Sequence, residues 1–407
     1  MNRYPKYKPS GIEWIGEIPE HWDIATIGRL NNLGRGRVIS NIEIGENSGE
    51  YPVYSSQTEN NGIMGYLNSF DFEGQYVTWT TDGANAGTVF YREGKFNCTN
   101  VCGTIQPKNL DLIELKYLPY YLNLGTRFSV RLDINPKLMN NMIAKIPLVI
   151  PPKPEQTAIA NYLDDKTARI DTLIEKKNRL IDLLKEERTA MINQAVTRGI
   201  DPDVKLRPSG IDWLGEIPEH WEVKKLKYVG KLRDELIDDS DFKIAVENIE
   251  IGTGKLMSIE EDKNYQGKLS AFRKGDTIFN KLRPYLHKVY YAEQDGGLYG
   301  ELLIIYSFGE ICSKFLFYKL FSKIFIDVVD GSTQGTKMPR ANWNDFISLL
   351  FISFPKEKEE QLQIIQHIEV ETKRIDGAIS KIEREIELLQ EYRTALISEV
   401  VTGKIKV

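Results

Sequence analysis

The sequence predicts an α+β protein: two mixed α/β globular halves separated by two long antiparallel helices paired as a coiled coil, arranged as an internal pseudo-two-fold repeat. Three observations predict it. The segment Pro9-Ser-Gly-Ile-Glu-Trp-Ile-Gly-Glu-Ile-Pro-Glu-His-Trp22 recurs 199 residues later as Pro208 to Trp221, with only Glu13/Asp212 and Ile15/Leu214 changed. Two stretches of roughly 40 residues without internal proline carry sustained heptads. Short β-branched or aromatic runs bounded by Gly, Asp or Asn fill the space between.

The elements follow in order. After the first arm, Tyr76–Thr80 and Gly87–Tyr91 read as strands, as do Asp276–Phe279 and Leu302–Tyr306 after the second. Residues 314–329, with Phe315, Leu316, Leu320 and Phe321, have helical spacing. Lys116–Leu122 matches Lys314–Leu320 at an offset of 198. Glu155-Gln156, Arg169-Ile-Asp171 and Arg188-Thr-Ala190 match Glu360-Gln361, Arg374-Ile-Asp376 and Arg393-Thr-Ala395 at 205. The second copy therefore holds extra residues between these matches, assigned to the loop Gly331–Lys337. In the helices, Ile170, Lys177, Leu184 and Met191 fall at d, with Ile174, Ile181, Arg188 and Ala195 at a. The second copy places Ile375, Ile382, Leu389 and Leu396 at d, and Ile379, Ile386, Arg393 and Val400 at a. Each helix should span on the order of 60 Å, and an arginine at a costs stability unless it is paired. Val401-Thr-Gly-Lys404 matches Val196-Thr-Arg-Gly199, which makes the halves cyclically equivalent, as in a closed two-fold. The division expected is 1–150, arm and first globular half; 151–200, central helix; 201–354, second arm and half; 355–407, terminal helix.

Composition narrows the function. The chain has 407 residues, 53 Lys+Arg against 58 Asp+Glu, a net charge of −5 that argues against a uniformly basic nucleic-acid binder but not against local patches. Cys98, Cys102 and Cys312 lack zinc-knuckle spacing, and a reduced, metal-free protein is expected. No run of about 18 apolar residues exists and the start is polar, so a cytoplasmic protein without membrane contact is expected. No catalytic set emerges. Gly252-Thr-Gly-Lys255 lacks the earlier glycine and the Ser/Thr of a phosphate loop. Gly34-Arg-Gly36 lacks the third glycine of a dinucleotide fingerprint, and Asn135-Pro-Lys-Leu138 is not the Asn-Pro-Pro-aromatic tetrad of an amino-methyltransferase. His21 and His220 are expected to pack under the adjoining tryptophans. What remains is local positive charge. Arg35 and Arg37 lie in an acid-free stretch, 24–42. Lys268, Arg273, Lys274, Lys281, Arg283 and Lys288 interleave with Phe272, Phe279 and Tyr285 around a single acid, Asp276. Ser332, Thr333, Gln334, Lys337 and Arg340 add polar groups in a glycine-containing loop, and Thr80, Thr81 and Lys137 are candidates in the first half. Such groups attract phosphates and read base edges.

In the arms ending Ile18-Pro-Glu-His-Trp22 and Ile217-Pro-Glu-His-Trp221, in Phe272-Arg-Lys-Gly-Asp276 followed by Lys281-Leu-Arg-Pro284, in the Glu-Gln pairs and in the Arg-Thr-Ala closings, the chain resembles the DNA-specificity subunit of type I restriction-modification systems over nearly its whole length. The resemblance implies two target-recognition domains reading double-stranded DNA, one per half-site, and a gap set by the helical spacer. It implies no catalysis here: two methyltransferase (modification) subunits and restriction/translocase subunits carry it, with S-adenosylmethionine, ATP and Mg on those partners. A coiled-coil adaptor with two protein-binding domains is the alternative. One departure, Phe354-Pro-Lys-Glu-Lys-Glu-Glu-Gln361, is less proline-rich than its counterpart, so a slightly different start to the second helix is expected.

Overall fold

A computed structural model describes residues 3–131, 135–257, 267–333, 335 and 339–407. They form two compact units, Met1–Lys177 with Arg384–Val407, and Asn178–Glu383. Two continuous helices, Lys153–Arg198 and Lys358–Val401, each contribute to both units.

The first unit opens with a hairpin, β1 (Tyr7–Pro9) and β2 (Glu17–Pro19), and enters its globular half on β3 (Asp23–Thr26). A six-stranded sheet follows from β4 (Asn31–Arg35), β5 (Tyr51–Tyr54), β6 (Ile63–Leu67), β7 (Phe72–Thr80), β8 (Val89–Cys98) and β9 (Cys102–Pro107), in the order β4-β9-β7-β8-β5-β6. The chain leaves on β10 (Pro147–Ile150), antiparallel to β3. Alternation along β7 turns Val77 and Trp79 inward, where they join Val89 and Ile105 against Tyr117, Leu118, Tyr121 and Leu122 of the helix Tyr117–Gly125. Those four helical residues sit at i, i+1, i+4 and i+5, a single apolar stripe.

The second unit repeats this plan. Its hairpin, β11 (Leu206–Pro208) and β12 (Glu216–Pro218), has the register of the first, Leu206 facing Pro218 as Tyr7 faces Pro19. After β13 (Trp221–Lys225) come β14 (Gly230–Leu232), β15 (Leu236–Ile237), β16 (Lys243–Ala245), β17 (Leu269–Phe272), β18 (Thr277–Asn280), β19 (Val289–Tyr291), β20 (Gly296–Tyr299) and β21 (Leu302–Ser307). The exit strand β22 (Phe351–Pro355) pairs with β13. The sheet β14-β21-β18-β19 has the order of β4-β9-β7-β8, and a second sheet, β15-β17-β20-β16, is added. The helical stretch expected at 314–329 is two helices, Ser313–Phe321 and Lys323–Gly331. Ser322 between them is extended, and its Oγ accepts from Phe325 N, the N-cap that starts the second.

The repeated motifs are one joint built twice. His21 Nε2 lies 2.7 Å from Glu155 Oε1 and Trp22 Nε1 donates to Glu155 Oε2 at 3.0 Å; His220 and Trp221 bind Glu360 at 2.8 Å each. Gln156, buried, donates to Pro151 O and Leu112 O and accepts from Glu114 N; Gln361 repeats this with Pro355 O, Glu310 O and Cys312 N. The first turn of each long helix is thereby tied to arm and globular half. The histidines are therefore exposed carboxylate partners; His21 also keeps the expected contact with its tryptophan, edge-on at 6.5 Å between ring centroids, rather than lying buried beneath it. Both helices also start at equivalent residues, Lys153 and Lys358, because the glutamate-glutamine pair and not the proline content fixes the start. Burial disfavours the Glu155 charge, but hydrogen bonds from His21, Trp22 and Tyr4 outweigh it and hold the carboxyl below its usual range.

The heptads hold. From 168 to 187 every a or d residue is buried or half-buried and every other residue is exposed. Within each unit the helices run antiparallel: Asp171 meets Arg393 and Lys177 meets Glu385 in the first, Glu187 meets Arg374 and Arg188 meets Asp376 in the second. Both a-position arginines are thus paired with the aspartate of the partner's Arg-Ile-Asp motif. The far ends are capped from the globular halves. Tyr117 OH donates to Val401 O at 3.2 Å, and Lys319 Nζ to Val196 O at 2.6 Å.

Candidate nucleic-acid interface

In each unit one inner strand, β7 of the six-stranded sheet in the first and β18 of the sheet β14-β21-β18-β19 in the second, ends in a loop crossed by a later segment, with the same backbone bonds. In the first, Thr80 N donates to Thr88 O, Leu138 N to Thr81 O and Gly83 N to Pro136 O, and Asp82 bridges Lys137. In the second, Asn280 N donates to Lys288 O, Ala341 N to Lys281 O and Arg283 N to Pro339 O, and Leu282 bridges Arg340. Pro136-Lys137 and Pro339-Arg340 are therefore one position in two copies.

Charge gathers at both strand ends. Arg35 Nη2 lies 3.3 Å from Thr81 Oγ1 and from Asp82 Oδ2, and Lys137 Nζ lies 3.9 Å from Asp82 Oδ1, so two cations share one carboxylate. In the second unit Arg340 meets Glu301 at 3.1 Å, and Lys281, Ser332 and Arg340 line a cleft of about 610 Å³. Arg283 and the exposed Tyr285 follow on the same turn, where Arg283 and His287 both take left-handed conformations (φ 49° and 51°). His287 fixes the turn by its Nε2, 2.5 Å from Phe321 O, and burial lowers its basicity. Ser332 and Thr333 donate their hydroxyls to Val329 O and Asp330 O.

The other candidates are buried at the strand end or lie away from it. Thr80 and Thr81 are buried; Thr80 Oγ1 serves Asn85 O and Thr88 N, and Thr81 Oγ1 donates to Asp82 at 2.6 Å. They shape the loop and orient Arg35 rather than face solvent, because the loop after β7 closes over both hydroxyls. Arg37 is held between Glu43 (2.6 Å) and Asp71 (2.9 Å). Lys288 donates to Val246 O, and Lys274 sits at the opposite end of β18 beside Asp295. Gln334 and Lys337 lie outside the described residues. Gly252-Thr-Gly-Lys255 forms no phosphate cradle: Lys255 reaches Asp376 at 2.5 Å and Gly252 O accepts from Arg188. Asp82 and Glu301, the partner carboxylates, went unread in the sequence; Asp82-Gly83 signalled only a turn.

The chain matches the family "Type I restriction modification DNA specificity domain" over residues 19–182. It is 50% identical over 134 residues, 33% of this chain and 71% of that protein, to the Mycoplasma pneumoniae protein S.MpnORF289P N-terminus, named for a type I specificity subunit. Further relatives from that bacterium are spanned over 36–65% of their length. The Escherichia coli type I restriction enzyme EcoDI specificity subunit is 23% identical over 398 residues, 90% of this chain and 86% of that one. A solved chain of a type I R-M system, described for its complex assembly and conformational transition, shares the fold at TM-score 0.69 and 11% identity, covering 95% of this chain and 99% of that chain. On these grounds the chain belongs to the DNA-specificity subunits of type I restriction-modification systems.

Proposed function

We propose that the chain reads a two-part DNA sequence, one half-site per globular unit, and leaves chemistry to partner subunits. The observation that carries this is the duplicated strand end with a basic residue on the crossing segment, Lys137 in one unit and Arg340 in the other. Arg35 and Lys137 would serve the first half-site; Lys281, Arg283, Tyr285, Ser332, Thr333, Gln334, Lys337 and Arg340 the second. Exposed cations shared with few carboxylates can exchange those partners for phosphates, and an arginine can hold guanine O6 and N7 together. Family membership speaks against the adaptor reading.

The two similar scaffolds suit two copies of a methyltransferase subunit, with restriction/translocase subunits joining them. S-adenosylmethionine, ATP and Mg belong on those partners. The work is proposed to take place in the cytoplasm; among the described residues no helix is long and apolar enough to cross a membrane. Mapping methylated sites in DNA exposed to the reconstituted complex tests the reading. Two specified blocks around an unread gap are expected. A single continuous site, or methylation without sequence preference, would overturn it.

A further inference from the structure

Arg92 on β8 is a buried cation whose ionisable neighbours are the Tyr54 hydroxyl and the Cys98 and Cys102 thiols. It is 3% exposed, and no carboxylate pairs with it among the described residues. Its guanidinium lies between two rings, 3.6 Å from the Tyr54 centroid and 4.4 Å from that of Phe90. Nε donates to Thr78 Oγ1 at 3.1 Å, but Nη1 is buried without a partner. An arginine stays charged under these conditions, and an unpaired buried charge with an unmet donor is a cost that folding alone does not explain.

The cover over this group is strained. Asn60, Asn61 and Gly62 take three successive left-handed conformations (φ 48°, 54° and 77°) in the loop that leads from β5 to β6. L-residues visit that region singly, not in runs. Glycine suits position 62, because L side chains rarely adopt a φ of 77° and a Cβ would stand 3.1 Å from both Arg92 Nη2 and Gln57 O. Ser55 N donates to Gly62 O at 3.0 Å and closes the loop. Arg92 faces Tyr76 across β7, on the side of the sheet that carries Thr78 and Thr80. Thr80 leads into the Arg35–Lys137 cluster, about 13 Å along the strand at roughly 3.3 Å per residue. One duplex can span both.

We propose that Arg92 is an anion anchor kept covered in the free protein, and that the Ser55–Gly62 loop moves off it when DNA binds, so that its guanidinium takes a backbone phosphate beside the half-site of this unit. The inference rests on the DNA-reading function above. A strained loop over a buried cation with an unmet donor and no paired carboxylate favours opening, and a duplex supplies the anion.

The test compares the full chain with Arg92→Met and Arg92→Lys on a duplex carrying the site recovered by methylation mapping. Arg92→Met removes the buried charge, so it should melt no lower than the parent chain while binding about ten- to a hundredfold more weakly, as expected for a lost charge-assisted contact. Its salt dependence should fall by about one phosphate, and Arg92→Lys should keep that dependence. In the unsubstituted chain, amide exchange at Ser55 should quicken on adding the duplex. Unchanged affinity and salt dependence in Arg92→Met, or a Ser55 amide that slows or stays the same, would overturn the proposal, including where Arg92→Met fails to fold. Opening of the loop by inorganic phosphate alone would reassign the site to a small anion and overturn it too. If the unsubstituted chain shows no sequence preference, the DNA reading itself falls; if it binds selectively and Arg92→Met matches it, only this inference does.

Discussion

Lys137 and Arg340 hold one place in two domains whose sequences share little around them. Both side chains are exposed, so truncating either should change folding stability by no more than about 0.5 kcal/mol. A lost base or phosphate contact should cost about 1–3 kcal/mol of binding. Lys137→Ala is expected to weaken or relax only the half-site of the first unit, and Arg340→Ala only that of the second. Competition against duplexes altered one base at a time in both half-sites measures this, and equal relaxation of both halves by either variant would remove the assignment. The sequence offered both residues as candidates but hid their equivalence. The offset between copies is 200 at Thr80 and Asn280, 198 at Tyr117 and Phe315, 203 at Lys137 and Arg340, and 205 at Glu155 and Glu360, so no single alignment shift brings them together. Arg92 was invisible for another reason: in a strand, an arginine reads as a solvent-facing position, and only tertiary cover by a distant loop makes it buried. Lys319 shows the same limit. It occupies the apolar stripe of its helix, and complete burial pushes its amine down to about 7. A folded-state value below the unfolded one near 10.4 means the unfolded chain binds more protons between those limits, so stability should rise as pH climbs from 7 toward 10. Lys319→Met should flatten that rise; identical melting-temperature profiles from pH 7 to 9.5 would show that the amine is not the titrating group.

At the scale of elements, the long helices were the most legible part, because a heptad pattern sustained over 40 residues leaves little freedom about which face is covered. The strands of the globular halves were less so. Gly230–Leu232 and Lys243–Ala245 have three residues each, too few for alternation to register, and their pairing depends on residues far away in the chain. The arginines at a positions looked like a liability and are instead the feature that both copies share. Each meets the aspartate one residue after the d-position isoleucine of the opposing helix, which fixes axial register as a buried polar group does in other coiled coils. Their environments differ. Arg188 and Asp376 are mostly buried, and Lys255 and Gly252 O complete the group, whereas Arg393 and Asp171 are 38% and 55% exposed. Double-mutant cycles with alanine should therefore give a coupling of about 1–3 kcal/mol for Arg188–Asp376 and below about 1 kcal/mol for Arg393–Asp171. Thermal or denaturant unfolding reads both. A stronger coupling in the exposed pair would mean that burial does not set the strength of these contacts.

At the scale of the molecule, the first unit contains both ends of the chain, with Tyr7 OH bonded to Gly403 O and Ile405 in the core beside Ile15 and Ile18. The cyclic equivalence read from the terminal motif is thus a packing fact within that unit. The helices that continue from one unit into the other have 46 and 44 residues, about 66–69 Å at 1.5 Å per residue. Two readers on one face of B-DNA are easiest to place about one turn apart, roughly 34–36 Å or 10 base pairs centre to centre. With half-sites of about three or four base pairs, an unread gap of about six to seven base pairs is expected. If the helices set that gap, their length is a variable that can be changed without touching a reader. One heptad added to both, between Leu180 and Leu184 and between Glu385 and Leu389, keeps a and d in phase and adds about 10 Å, close to three base pairs at 3.4 Å each. Three base pairs also rotate one half-site by roughly 100° about the duplex, so affinity should fall even where the longer gap is accepted. A heptad added to one helix alone leaves its seam residues unpaired and should lower the melting temperature instead. Sequencing the methylated sites of a reconstituted complex with the doubly extended chain decides the matter. A gap longer by about three base pairs is the expected result, and an unchanged gap at full activity would mean that the helices do not measure DNA.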